Sequence, residues 1–284
     1  MDYLSQPEKF WEVRFHNVSD KGRSALCVGY EQKEWRNEAF ADYIIEWLPE
    51  FSLNGKERDS LSHSNAISLL RKAANLIYKT DKFQKRGEFG EVFLHAAIRS
   101  IFNSIPAISK IFYKSSHNDT VKGFDCVHIV GPIDDLELWI GEVKFYKSIQ
   151  KALTDVISEL KEHVKINFLR DEFILISNKL DSSDRHTPEI QKLISNRKSM
   201  DEIFKRICIP VMLTYESDVI KNNKSICDEY LSEIEDEIHK HYLKFCDESK
   251  DFLKVRYHLF LLPLEDKEKL IKILDNKLKA WQKI

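Results

Sequence analysis

Glycine and proline are scarce in this chain, eight and seven of its 284 residues. So few turn-formers leave no room for long disordered linkers, and neither a low-complexity tract nor an internal repeat is found. Paired cysteines are missing too. Cys27, Cys126, Cys208, Cys227 and Cys246 are isolated and odd in number, with no Cys-x-x-Cys spacing. A structural zinc knuckle is therefore not expected, and the thiols read as reduced cytosolic side chains in or near a core. There is no basic excess: 44 basic against 46 acidic residues leave a net charge of −2. Nucleic-acid binding would have to come from local patches. The first residues, Met1 to Pro7, have neither a basic n-region nor an apolar h-region. The longest apolar stretch, Tyr257 to Leu264, falls short of the ~20 residues needed to cross a bilayer. No membrane association is expected, and the default location is the cytoplasm.

What is present is an ordinary globular balance, 43% hydrophobic and 32% charged residues, in a chain long enough for a substantial core. Residues 1–80 read as an N-terminal mixed α/β region packed on the core, and 81–284 as the core with a C-terminal extension, unless the two form one continuous domain. Strand-like alternation covers Phe10–Val18 and Ala25–Tyr30, and helical spacing covers Trp35–Leu48, which Pro49 is expected to end. A polar segment, Ser52–Ser64, precedes another helix, Ser64–Thr80. From Gly87 a helix runs to about Asn103. Two strands, Lys122–Val130 and Leu136–Tyr146, form a hairpin across Gly131-Pro132-Ile133-Asp134-Asp135. A helix (about Ser148–Val164) and a short apolar strand (Phe173–Ser177) follow. Further on come a strand at Pro210–Tyr215, an acidic amphipathic helix at about Ser225–Phe245, a strand at Val255–Leu262 and a lysine-rich helix from about Glu265. The order predicts a mixed sheet with helices on its faces.

Glu-x-Lys occurs at Glu31, Glu142, Glu159, Glu248 and Glu265, so the tripeptide alone says little. Only Glu142 lies inside a run of strand-forming residues, Leu138 to Tyr146. Residues two apart share a strand face, so Glu142 and Lys144 point together, above Leu138 and Ile140. The hairpin would bring Asp125, after Gly123-Phe124, close to Glu142. Two carboxylates placed together repel unless a cation intervenes, and Mg²⁺ is the natural one, with Mn²⁺ as a substitute. Lys144 beside them would orient or deprotonate a water and screen a phosphate. The preceding helix offers a further metal ligand in Glu88 or Glu91, with Glu91 preferred; His95 is a weaker candidate. The plainer alternative is a turn-capping Asp125 and a solvent-facing Glu142–Lys144 pair. Buried-looking flanks argue against it, because carboxylates are seldom buried without a partner or a metal. His128, His239 and His241 read as structural or solvated. Six basic residues between Arg71 and Arg86 would guide a phosphate backbone or simply form an exposed helix end.

Arg86-Gly87-Glu88-Phe89-Gly90-Glu91, Gly123-Phe124-Asp125 and Gly141-Glu142-Val143-Lys144 together resemble the PD-(D/E)xK nuclease superfamily. Phe124 stands where a proline often precedes the aspartate. With Ala25 to Glu31 and Ala39 to Ile45 added, the chain resembles the HamA family, nuclease subunits of Hachiman anti-phage systems, over about residues 10–264. The resemblance implies a restriction-endonuclease-like α/β fold and a Mg²⁺-dependent DNase with Asp125, Glu142 and Lys144 as catalytic residues. It also implies a partner helicase, HamB, that restrains the enzyme until infection. The residues themselves leave two rivals open, a non-cutting regulatory subunit with the same fold and an RNase.

Overall fold

The computed structural model describes residues 6–78, 87–109, 123–180 and 186–284. In chain order the N-terminal part holds strands β1 (Glu12–Asn17), β2 (Lys21–Cys27), β3 (Tyr30–Glu31) and β4 (Glu34–Trp35), then helices α1 (Asn37–Glu46), α2 (Leu48–Ser52), α3 (Gly55–Asp59) and α4 (Ala66–Ile77). The middle consists of α5 (Glu88–Phe102), β5 (Ile105–Ser109), β6 (Cys126–Val130), β7 (Glu137–Phe145), α6 (Ile149–His163) and α7 (Ile166–Lys179). Then come α8 (Thr187–Leu193), α9 (Met200–Phe204), β8 (Ile207–Glu216), α10 (Asp218–Asn222), α11 (Asp228–Ser249), β9 (Arg256–Leu264) and α12 (Lys267–Lys283).

Seven strands form one mixed sheet in the order β1-β2-β9-β8-β7-β6-β5. The run β2-β9-β8-β7 is parallel, while β1, β6 and β5 pair antiparallel toward the edges. The central strands β8 and β9 are buried at nearly every position, which is why they appear in the sequence as near-continuous apolar runs and not as alternation. Helices cover both faces. Phe93 of α5 meets Phe145 with ring centroids 5.2 Å apart, while α6 lies on the opposite side of β7 and α11 packs beside α6. The expected mixed sheet flanked by helices is what forms.

Three local expectations are corrected. Phe173–Ser177 is not a strand but part of α7. Leu169, Glu172, Phe173 and Ile176 are buried at helical spacing while Ile174 and Leu175 face outward, so the apolar run straddles two sides of a helix. Strand β5 was not foreseen; Pro106 masks it, and the sheet accepts that residue because β5 is an edge. Pro49 does not end the first helix, which stops at Glu46. It sits in the first turn of α2, where its missing N–H costs nothing.

Under the sheet, the side chains of α5 build a buried ionic cluster. Arg99 donates to both oxygens of Glu50 (2.5 and 3.1 Å) and to the carbonyl of Ser104, and His95 Nε2 lies 3.2 Å from Glu50 Oε1. His95 packs edge-on against Trp47 and Phe51 and beside His128, whose Nδ1 is 2.9 Å from Ser104 Oγ. Both histidines are thus engaged within this buried cluster, His95 by Glu50 and His128 by Ser104. Burial pushes Glu50 upward, but the hydrogen bonds and charges of His95 and Arg99 outweigh it and hold the carboxyl at about 2. Its folded value lies below the usual 4.5, so this stabilisation is complete above that pH and is lost as the pH falls toward 2. Glu50→Gln leaves Arg99 buried without its counter-charge and is expected to cost roughly 3 kcal/mol at pH 7. In urea titrations the gap between the two proteins should narrow steadily from pH 5 to pH 2. A gap independent of pH would mean that shape, not charge, holds the cluster.

Candidate active site

The β6–β7 ladder pairs Cys126 with Gly141 and Val127 with Ile140. One step further, Asp125 lies opposite Glu142. Its own N–H donates to Gly141 O at 2.7 Å, and its Oδ2 accepts the N–H of Val143 at 2.8 Å. Asp125 is thus clamped to β7 through both backbone and side chain. Glu142 (2% exposed) and Lys144 (8% exposed) share the face of β7 that looks toward α6. Val143 and Phe145 take the other face, under α5. Gly90 lets that helix come close, since a Cβ there would stand 2.9 Å from Phe145 Cβ. The juxtaposition of Asp125, Glu142 and Lys144 expected from strand alternation is present.

Helix α6 answers both groups on its side. Lys144 Nζ pairs with Glu159, and His163 Nδ1 lies 2.5 Å from Glu142 Oε1. Residues four apart on a helix rise ~6 Å, and residues two apart on a strand span ~6.6 Å. One helix face therefore matches one strand face, pair for pair. The His163 ring is stacked on Phe168 (4.3 Å, 15°) and meets Phe124 edge-on (5.1 Å). Burial, then the charge of Asp125, raise the Glu142 carboxyl to about 7 against the opposing pull of His163 and Lys144. Burial alone would lower His163, but Glu142 at its Nδ1, with Glu159 and Glu172 nearby, holds it above its ordinary value. Glu172 of α7 is buried with its carboxylate against the backbone of Gly123. At φ +124, with Glu172 oxygens 2.7 and 2.9 Å from where a Cβ would be, position 123 accepts only glycine without rearrangement.

On α5, Glu88 and Glu91 are both buried in the first turn. Burial pushes the Cys126 thiol well up, followed by the charges of Asp125, Glu91 and Glu142. The charge of Glu91 thus reaches Cys126 together with those of Asp125 and Glu142, from the α5 side of the sheet. Among the described residues no three His, Cys, Asp or Glu side chains converge on one point. This donor set suits Mg²⁺, which takes one or two carboxylates and completes its octahedron with water and substrate oxygens. It does not suit a zinc cage. Of the basic run, Lys79, Lys82, Lys85 and Arg86 lie outside the described residues, and Lys72 is paired with Glu57. His241 is buried edge-on against Tyr215. His163, Glu159 and Glu172 were not singled out from sequence. The available signal was that Glu159 and His163 extend the buried face Leu153-Val156-Leu160 of α6, with polar groups at the end nearest Glu142 and Lys144.

The arrangement defines a class: a mixed α/β protein carrying a buried acid–acid–lysine cluster where two sheet strands meet a covering helix. The sequence profile of the HamA family matches residues 6–278, and the chain belongs to that family. It is 24% identical over 265 residues to a protein of Escherichia coli (strain K12) named Anti-bacteriophage protein A, a match covering 88% of this chain and 46% of that protein. The chain thus spans about half the length of this relative. Among the described residues no helix is long and apolar enough to cross a membrane.

The electrostatics give a directional test. Glu142 is raised from 4.5 to about 7, so the folded state favours its proton and stability falls as pH climbs through that interval. His163, also raised, contributes below its folded value and loses that contribution as pH rises past it. Both act in one direction. In EDTA the protein is expected to be less stable at pH 8 than at pH 5 by roughly 2–3 kcal/mol, and Glu142→Gln to lose most of that slope. An unchanged slope in the variant would place the titration elsewhere.

Proposed function

We propose that this chain is a metal-dependent nuclease that hydrolyses phosphodiester bonds in DNA on a restriction-endonuclease-like, PD-(D/E)xK core. Its role would be cytoplasmic anti-phage defence under the restraint of a helicase partner, HamB. The observation that carries the reading is one buried cluster in which a backbone-clamped Asp125 adjoins Glu142 and Lys144. Membership of the HamA family and the name of the Escherichia coli relative support the defence role. The likeness to Hachiman subunits supports the helicase.

Asp125 and Glu142 would hold Mg²⁺, with Glu91 or Glu88 of α5 as a further carboxylate. Bound there, the ion offsets charge on the scissile phosphate and acidifies a water. The chain's own residues do the rest. Glu142 gives up the proton that its surroundings favour before it acts as a ligand. Lys144 leaves Glu159, which is half exposed and readily solvated, and turns to the phosphate or the attacking water. In the resting arrangement both Glu142 and Lys144 are engaged by α6, which accords with an enzyme held off until triggered.

Cleavage of plasmid, linear duplex DNA and RNA by the full chain, alone and coexpressed with HamB, in Mg²⁺ or EDTA, tests this reading. Lys144→Ala should lower the rate on the order of 10²–10⁴-fold. It should shift stability by less than about 1 kcal/mol, because the orphaned Glu159 is solvated. Cleavage in EDTA, or undiminished cleavage by Glu142→Ala/Lys144→Ala, would sink the proposal. Degradation of RNA alone would replace it with the ribonuclease reading.

A further inference from the structure

Glu142 is almost wholly buried, so water cannot decide which way its carboxylate points. The group set against Oε1 is His163 Nδ1, at 2.5 Å. That ring is itself held. Phe168 stacks on it, and Phe124 meets it edge-on from the residue immediately before Asp125. One turn earlier on α6, Glu159 pairs with Lys144 of the same strand. A ring wedged between two aromatics aims its nitrogen along one direction. Phe124 couples that direction to the end of the hairpin where both carboxylates sit.

We propose that His163 is a positioning residue, which holds Glu142 Oε1 so that the carboxylate presents its other oxygen to the divalent ion beside Asp125. The inference rests on the nuclease reading above and deepens it. Partners of ligating carboxylates characteristically tune metal affinity in this way, because a fixed ligand loses less freedom on binding. His163 touches neither substrate nor reacting atoms in this role. Its removal should therefore change how much metal the enzyme needs and leave the rate with metal bound nearly as it was.

Three substitutions separate the nitrogen from the ring. His163→Phe keeps an aromatic ring between Phe124 and Phe168 but has no nitrogen. His163→Asn keeps a side-chain nitrogen near the Nδ1 position but has no ring. His163→Ala has neither. Manganese binding to the full chain is read directly by electron paramagnetic resonance of free Mn²⁺, with unfolding midpoints in EDTA as the check on folding. The expected result is a ten- to hundredfold loss of Mn²⁺ affinity in His163→Phe and His163→Ala. His163→Asn should stay within about threefold of the unsubstituted protein. Cleavage at saturating metal should vary by less than about threefold across the set, with the metal requirement shifted in step with affinity. Should His163→Ala fail to fold, the Phe and Asn variants still make the comparison. Tight binding by His163→Phe would reduce His163 to a packing ring and overturn the inference. Weak binding by His163→Asn alongside His163→Phe would overturn it as well. Binding that Glu142→Ala abolishes but His163→Phe leaves intact keeps the nuclease reading and removes only this one. No Mn²⁺ binding by the unsubstituted protein removes both.

Discussion

Asp125 is joined to β7 twice, by its own amide to Gly141 O and by the Val143 amide to its carboxylate. These two bonds continue the β6–β7 ladder one residue past its regular end, with a side chain standing in for a main-chain acceptor. Everything in the cluster depends on that extension. Without it Asp125 would sit on a loop, and its distance to Glu142 would vary with the loop. With it, the separation between the two carboxylates is set by the sheet itself, and Phe124 is fixed where it meets the His163 ring.

Placing two carboxylates together in a buried site has a cost, because each ion loses water and gains a like-charged neighbour. The protein offsets part of that cost with two cations, Lys144 on the strand itself and His163 on α6. Glu159 answers Lys144 and His163 answers Glu142, a pairing that works because a helical step of four and a strand step of two have nearly equal rise. Glu172, drawn against Gly123 from α7, adds a third charge to the field around His163. Helix α6 thus pulls the Glu142 carboxyl back down against burial and Asp125 as well as packing over it.

Much of this was legible in the sequence because strand alternation is a strict code. A period of two puts Glu142 and Lys144 on one side whatever surrounds them, and a hairpin turn of known position brings Asp125 opposite. Helical partners follow no such code across elements. Glu159 belongs to one of five Glu-x-Lys tripeptides, and His163 is one of ten histidines. Neither stands out until the tertiary structure lays α6 over β7. The same limit explains the α7 error. Phe173-Ile174-Leu175-Ile176 is apolar throughout, but which two residues are buried depends on what the helix packs against, here α6. Strand β5 was hidden for the opposite reason, since its edge position tolerates Pro106, a residue rare inside strands.

Two buried glutamates in this molecule, Glu50 and Glu142, show how structural and chemical carboxylates differ. Glu50 faces a guanidinium that grips both its oxygens, and its carboxyl is pulled down to about 2. It has no reason to change protonation near neutrality. Glu142 is buried and faces another carboxylate, and burial first, then the charge of Asp125, push its carboxyl up to about 7. It carries an unfavourable interaction that a divalent cation would relieve, so the same burial that burdens the empty arrangement strengthens attraction for the ion. A cluster whose charges are already satisfied stabilises a fold. A carboxyl held protonated by burial and a like-charged neighbour is poised to exchange its proton for a metal ion, and Glu142 beside Asp125 is of this second kind.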